Sequence, residues 1–106
     1  MRIIGTIVEE ESGKPLAGLR VKGFDKDLIF DDKLGTAVTD AKGQFRIDFS
    51  SFNFSLLPNM ETIPDVYVRV FDATGKKLLY TSEKAIRHQQ GVEERFDIRI
   101  SKTKLS

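Results

Sequence analysis

Four aspartates lie within eight residues of one another and form the clearest cluster of potential metal ligands: Asp25, Asp27, Asp31 and Asp32. Hard cations such as calcium take about six to eight oxygen ligands, and clustered carboxylates supply several of them from one short loop. Asp72 or Asp40, from neighbouring turns, would complete such a shell. Two lysines inside the loop, Lys26 and Lys33, offset its charge. The loop therefore fits either a weak calcium site or a solvated loop whose aspartates cap turns, and the lysines favour the second interpretation.

A second candidate site is the face formed by Tyr67, Arg69 and Phe71, which alternate with three valines along one predicted strand. One face of an antiparallel sheet is usually polar, whereas this one is aromatic with an arginine in the middle. Tyrosine and arginine are enriched at protein interfaces, so we expect this face to contact a protein partner or a carbohydrate. The simpler alternative is that the apolar residues of segment 50–60 cover Tyr67 and Phe71.

Residues that usually carry catalysis are scarce. The sequence has no cysteine, which excludes disulfides, thiolate zinc sites and cysteine nucleophiles. Its single histidine, His88, lacks the partners that a general base or an activated nucleophile needs, so we expect a surface residue there. Glycine-rich phosphate loops, nucleophile elbows and histidine-rich metal motifs are missing from the sequence. We therefore expect no enzyme activity and no cofactor apart from the calcium considered above.

Composition limits the class of protein further. The 106 residues are enough for one domain with its own core, and 40% hydrophobic with 31% charged residues is typical of a folded domain. A net charge of +1 argues against a nucleic-acid partner. We expect no membrane span, because no apolar run approaches the roughly 18 residues required. No signal peptide follows Met1, so the expected location is cytoplasmic, unless the chain is an excised domain of an exported protein.

The candidate residues stand on short alternating segments separated by turns. Seven segments have the pattern of β-strands, at residues 3–8, 19–22, 34–39, 44–49, 66–71, 77–81 and 95–100. Turns are indicated by Gly13, Gly43 and Gly75, each in a polar stretch. At most one short helical turn is expected, near residues 51–57. The pattern predicts an all-β fold, a seven-stranded antiparallel Greek-key β-sandwich that forms a single domain over residues 1–106.

Three pieces of the first half of the sequence carry a family resemblance: Gly5-Thr6-Ile7, Gly13-Lys14-Pro15-Leu16-Ala17-Gly18 and Thr39-Asp40-Ala41-Lys42-Gly43-Gln44-Phe45. They resemble the transthyretin-like and carboxypeptidase-regulatory-like β-sandwich domains. The aspartate loop looks most like the nematode transthyretin-like branch, and its spacing also resembles a calcium-binding loop of C2 domains. The resemblance implies a prealbumin-like sandwich and an accessory or binding role, often within a larger protein.

Two enzymes share the architecture that this resemblance implies. Hydroxyisourate hydrolases use several histidines, an arginine and a Tyr-Arg-Gly-Ser ending, whereas this sequence has one histidine and ends in Lys-Thr-Lys-Leu-Ser. Intradiol dioxygenases hold iron with two tyrosines and two histidines, and Tyr67, Tyr80 and His88 fall one histidine short of that set. The sequence supports neither activity.

The predicted function is therefore a non-catalytic binding or adaptor module. It would recognise a protein, a neighbouring domain of a parent chain or a carbohydrate through its sheet edge, its aromatic face and its loops. Two alternatives remain open at this point: a calcium-binding or calcium-stabilised module that uses residues 25–32, and a hydrolase of the hydroxyisourate type.

Overall fold

The computed structural model describes residues 1–26, 32–49, 65–88 and 92–106, with the backbone alone at Asp32 and His88, and these residues are mostly β-strand. Seven strands of four or more residues and one two-residue strand lie within the described ranges. They are β1 (Arg2–Glu9), β2 (Arg20–Asp25), β3 (Asp32–Val38), β4 (Gln44–Asp48), β5 (Asp65–Phe71), β6 (Leu78–Thr81), β7 (Arg87–His88) and β8 (Glu93–Ile100). The expectation of an all-β fold is confirmed.

The strands form two sheets. The three-stranded sheet has the order β4-β1-β8, and the five-stranded sheet has the order β3-β2-β5-β6, with β7 also pairing with β5. β4 and β8 bury alternate residues, as the period-two pattern of the sequence predicts. One core is filled from both sheets, by residues such as Ile3, Phe45 and Phe96 on one side and Val21, Val68 and Leu79 on the other. The two sheets therefore make a sandwich-like layer pair with two outer faces.

One strand pair departs from the predicted antiparallel arrangement. β1 and β8 run parallel, with eight residue pairs from Arg2 opposite Glu93 to Glu9 opposite Ile100. The other strand pairs between described residues are antiparallel. A tight turn forces two strands to be antiparallel, but β1 and β8 are separated by most of the chain, so no turn constrains their direction. The expectation of a wholly antiparallel sandwich was wrong for this pair.

The turn between β3 and β4 shows why the glycine predicted there is needed. Gly43 has a φ of 73°, a conformation that other residues rarely adopt. A Cβ atom at this position would lie 2.4 Å from the carbonyl oxygen of Ile7. The same turn begins at the buried Thr39, whose hydroxyl donates to the Leu16 carbonyl (2.6 Å) and accepts from the Leu19 amide (3.0 Å). These bonds fix the crossing from one sheet to the other.

Three details of the local structure differ from the predictions or lie outside them. The polar stretch from Ser82 to Gly91 predicts a loop, but its described part contains a 3-10 turn over Glu83–Ala85 and the strand β7. The polar residues from Lys102 onward predict a frayed tail, but they form α1 (Lys102–Leu105), capped by Ser101. The helical turn predicted near residues 51–57 lies outside the described residues. Across the described ranges, helices long and apolar enough to cross a membrane are absent.

Candidate functional site

The outer face of the five-stranded sheet combines aromatic rings with cations. The valines of β5 point into the core, so the residues that alternate with them lie on the opposite face of the sheet. The register places Phe24 opposite Tyr67 and Lys22 opposite Arg69. We call the resulting group the aromatic face, and its members are Lys22, Phe24, Tyr67, Arg69 and Phe71. The structure thus brings the three residues named from the sequence together with two from β2.

Two stacked rings form one end of this face. The ring centroids of Phe24 and Tyr67 lie 5.2 Å apart with an angle of 17° between the ring planes. Tyr67 is completely buried although it points away from the core. The sequence analysis left open that segment 50–60 covers Tyr67 and Phe71. That segment lies outside the described residues. A stacked pair of this kind stabilises the sheet beyond the burial of its area, so this end of the face is a fixed base for its neighbours.

Each cation of the aromatic face lies over a ring. The Arg69 guanidinium carbon is 5.2 Å from the Phe24 centroid and 5.5 Å from that of Tyr67, and the Lys22 ammonium is 4.8 Å from that of Phe71. Lys22 and Arg69 are direct cross-strand neighbours, and like charges in such pairs repel. The ring quadrupoles attract both cations and offset part of this repulsion.

Glu83 is the carboxylate that the described part of this face offers to the cations. Its Oε1 accepts from Arg69 at 2.6 Å and its Oε2 accepts from Lys26 at 3.2 Å. These bonds, first that to Arg69 and then that to Lys26, hold the pKa of the Glu83 carboxyl below its ordinary value. Arg69 is therefore fixed from two sides, by rings on one and by a carboxylate on the other.

A patch of exposed apolar residues continues the aromatic face toward one end of the sheet. The register aligns Val38, Arg20, Phe71 and Leu78 in one row across β3, β2, β5 and β6. Val38 is 60% exposed and Leu78 is 48% exposed, high values for apolar side chains. Arg20 extends over the β5–β6 turn, where a Cβ atom on Gly75 would lie 3.2 Å from its Cδ. We call Arg20, Lys22, Val38, Phe71 and Leu78 the basic–apolar patch.

The aspartate loop is described only in part. Asp25 ends β2 and is buried, and its Oδ1 accepts from the backbone amide of Asp65 at 2.9 Å. Asp32 begins β3 opposite Asp25, so the pairing brings two of the four aspartates together across the strands. Asp27 and Asp31 lie outside the described residues. Groups of three or more potential metal-binding side chains do not occur among the side chains that the structure describes.

The two aspartates expected to complete a calcium shell lie at the other end of the sheet. Asp72 follows Phe71, which pairs with Arg20 at the start of β2, and Asp40 follows Thr39, which bonds to Leu19. β2 separates that end from Asp25 by five residues, about 16 Å. Asp40 accepts from the amides of two residues of its own turn, and the Thr74 hydroxyl leads the contacts that lower the pKa of Asp72. The expectation that these residues join the aspartate loop was wrong, because both cap turns.

The remaining candidates from the sequence do not form a shared site in the described structure. His88 lies in β7, where its backbone pairs with Asp65. Tyr80 is partly buried and packs against the core from β6, whereas Tyr67 lies on the outer face. An open cleft of about 440 Å³ lies where the three-stranded sheet meets β3, and its lining includes Ile4, Arg46 and Val38. Arg46 is already committed to Asp48 through two hydrogen bonds (2.9 and 3.0 Å).

Sequence reasoning missed Lys22 and Phe24 as parts of the site. Lys22 ends the strand predicted at residues 19–22, and Phe24 lies just beyond it. Local sequence does not show which strand pairs with β2. The position of Lys22 and Phe24 opposite Arg69 and Tyr67 therefore could not be predicted. The sequence does contain one relevant pattern: on both strands a cation and an aromatic residue stand two positions apart.

Comparison with known proteins gives a likeness of fold. No family model matches the chain, and no curated protein matches it. Among solved structures, a 9R-lipoxygenase from Cyanothece PCC8801 is similar with a TM-score of 0.65 at 21% sequence identity. The match covers 92% of this chain and 16% of that chain, so this sequence corresponds to a small part of the lipoxygenase. At this identity the likeness concerns the fold alone.

Proposed function

We propose that this chain is a non-catalytic binding module that recognises a protein partner through the outer face of its five-stranded sheet. The observation that carries the proposal is the position of Lys22 and Arg69 over aromatic rings on that face. Long cationic side chains normally lose entropy when a partner orders them, by about 0.5–1.5 kcal/mol each. Cations already held on rings lose less, so the face is prepared for binding before a partner arrives.

The arrangement also bears on the choice between a protein and a carbohydrate. A sugar that stacks on an aromatic ring needs an open ring face. On this surface Phe24 is stacked on Tyr67, and cations cover Phe24 and Phe71. The groups left accessible are cation heads and the apolar side chains at the end of the sheet, which suit the mixed polar and apolar contacts of a protein interface.

The strand order supports a Greek-key, transthyretin-like classification as part of the same proposal. In a Greek key the fourth strand returns to lie beside the first. Here β4 lies beside β1 while β2 and β3 pair in the other sheet, and β5 then returns to lie beside β2. This order, together with the turn motifs around Gly13 and Gly43, is what the resemblance to transthyretin-like domains leads us to expect.

Surface variants test the proposal directly. Random peptide libraries and a glycan array would be screened against the protein, against Lys22→Ala/Arg69→Ala, and against a control on the opposite face, Arg95→Ala/Arg99→Ala. We expect peptide ligands that bind the protein and the control but lose about tenfold or more in affinity for the first variant. Circular dichroism would confirm that both variants fold. Ligands that are lost only in the control variant, or glycans as the sole ligands, would refute the proposal.

A second candidate function is a calcium-stabilised module, and the pairing of Asp25 with Asp32 favours it. Asp25 and Asp32 are paired through their backbones, and Asp25 also accepts from the Asp65 amide, so one end of the sheet brings together residues of the type that calcium binds. A ligand present at about 100 times its dissociation constant stabilises the fold by roughly 2.7 kcal/mol. Thermal unfolding in millimolar calcium and in chelator therefore separates the two functions, because equal midpoints exclude the calcium module.

A further inference from the structure

Among the described residues, the two cations of the basic–apolar patch have no carboxylate partner. Within the described ranges, Arg20 and Lys22 form no ion pair, whereas Glu83 pairs with Arg69 and Lys26 and the Oδ1 of Asp72 accepts from the Thr74 hydroxyl. The whole chain carries a net charge of only +1. The local excess of positive charge therefore comes from how the fold distributes charge and is not a general basic character. A partner that fits this patch brings negative charge.

The apolar residues of the patch limit what kind of anion fits. Val38, Phe71 and Leu78 surround Arg20 in one row, and Val38 and Leu78 are about half or more exposed. A purely ionic ligand gains nothing from these side chains. The cation over Phe71 leaves that ring face closed to the stacking of a nucleic-acid base. The ligand that gains from both parts of the patch carries carboxylates beside an apolar side chain.

The dimensions of the patch match those of an extended peptide. Arg20 and Lys22 are two residues apart on β2 and point to the same side, about 7 Å from each other. Carboxylates two residues apart on an extended peptide have the same separation. The row from Val38 to Leu78 crosses four strands, about 14 Å, which gives room for an apolar side chain on either side of Arg20.

From these observations we infer that the basic–apolar patch binds an acidic peptide segment of a protein partner, in which two Asp or Glu residues and an apolar residue stand at alternate positions, so that all three side chains share one face. The inference rests on the proposed function and specifies the partner of that same face. Arg20 and Lys22 take the carboxylates, while Val38, Phe71 and Leu78 contact the apolar side chain.

The test uses two immobilised peptide libraries. In one, two Asp or Glu residues and a varied apolar residue stand at alternate positions of an extended sequence, and in the other each acid is replaced by its amide. We expect the protein to be retained by the acidic library about tenfold or more strongly than by the amide library. Raising the salt concentration from about 50 mM to about 500 mM lowers retention by the acidic library, because the Debye length shortens.

Variants assign the retention to the patch. Arg20→Gln/Lys22→Gln removes charge with little effect on folding and lowers retention by about tenfold, and Leu78→Ser lowers it by a smaller factor. Arg95→Gln/Arg99→Gln removes two exposed arginines from the opposite face and leaves retention unchanged. Equal retention by both libraries, or retention that follows Arg95 and Arg99, overturns the inference.

Two further probes cover other anionic partners. Vesicles containing phosphatidylserine and a single-stranded oligothymidylate would be tested with the same variants, and binding of either one without binding of the acidic library overturns the inference. The outcome is separable from that of the proposed function. If neutral peptides bind and their binding depends on Arg69, the proposed function stands and the acidic preference is refuted. If no screen yields a ligand for this face, both the proposed function and the inference are refuted.

Discussion

The two outer faces of the molecule differ in the groups that contact their cations. On the outer face of the three-stranded sheet, which we call the charged face, Arg46 forms a two-bond pair with Asp48, and Arg2 pairs with Asp48 and Glu93. Arg95 and Arg99 of the same face form no ion pair among the described residues. On the five-stranded sheet, Lys22 and Arg69 lie over aromatic rings, and among the described carboxylates of that face Glu83 alone pairs with one of them, Arg69. Both faces contain cations at cross-strand positions, so the difference lies in what neutralises them.

The difference shows how a sheet can keep its cations available for a partner. A salt bridge between exposed side chains satisfies the charge and leaves little for another protein to gain. A ring holds a cation in place but does not neutralise it. The paired cations Arg2 and Arg46 of the charged face therefore offer little to a partner, whereas Lys22 of the aromatic face keeps its charge at a position fixed over Phe71. Three substitution experiments test this contrast.

The largest expected effect comes from the buried ring of the aromatic face. Tyr67→Ala removes a completely buried ring that stacks on Phe24 and supports Arg69, and we expect a loss of about 3–5 kcal/mol in the free energy of unfolding. Ile4→Ala, at a half-buried position on the charged face, is expected to cost about 1 kcal/mol. Urea unfolding measures both. Equal costs would contradict the view that the aromatic face is a packed layer.

A smaller effect is expected from the coupling between Lys22 and Phe71. A double-mutant cycle with Lys22→Gln and Phe71→Leu should give a coupling of about 0.5–1 kcal/mol, typical of a cation over a ring near the surface. The matched cycle on the charged face uses Arg46→Gln and Asp48→Asn. Its coupling should fall in about 1 M salt, because exposed ion pairs are screened. A Lys22–Phe71 coupling indistinguishable from zero would remove the distinction between the faces.

The smallest expected effect is a change in the free energy of unfolding at acidic pH. Contacts with Arg69 and Lys26 lower the pKa of Glu83, and contacts with Arg46 and then Arg2 lower that of Asp48. A carboxyl whose pKa is lower in the folded state adds stability above its ordinary pKa, and this contribution is lost as pH falls through the folded value. The protein should therefore exceed Glu83→Gln in stability near pH 7, and the gap should close in acid below the ordinary glutamate range.

Urea unfolding at several pH values measures that gap, with Asp48→Asn as the matched variant on the charged face. NMR titration of the side-chain carboxyl gives the folded pKa of each residue directly. A gap for Glu83→Gln that stays constant or widens in acid would show that the bonds to Arg69 and Lys26 do not act through the charge of the carboxylate.

Most strands of this fold could be predicted from the sequence, but the pairing between strands could not. Alternation of Phe96, Ile98 and Ile100 with charged residues gave the buried side of β8, because a period of two is a local property. The parallel pairing of β8 with β1 involves residues about 90 positions apart and has no local signature. The short strand β7 was also missed, since two residues are too few to show a pattern.

The residues of the candidate site were likewise predicted only in part. Tyr67, Arg69 and Phe71 were identified because they share one strand, and alternation alone places them on one face. Lys22, Phe24 and Glu83 come from other elements, and their contacts depend on the order β2-β5-β6 and on the 3-10 turn after β6. Asp25 was identified as a potential ligand from its type, but its bond to the Asp65 amide follows from pairing that only the folded chain shows.

The parallel alignment of β1 and β8 has a mechanical consequence. The chain enters β1 at one end of the sandwich and leaves β8 at the other, so tension along the chain pulls the two strands past each other lengthwise. Such a load acts on their whole row of hydrogen bonds at once. Single-molecule stretching between the two chain ends should therefore need a higher force than stretching between Arg2 and Glu93, which lie side by side and would separate bond by bond. Equal forces in the two geometries would show that this pair is not the mechanical clamp. With such a clamp, the domain could transmit tension along a longer chain while its aromatic face stays folded.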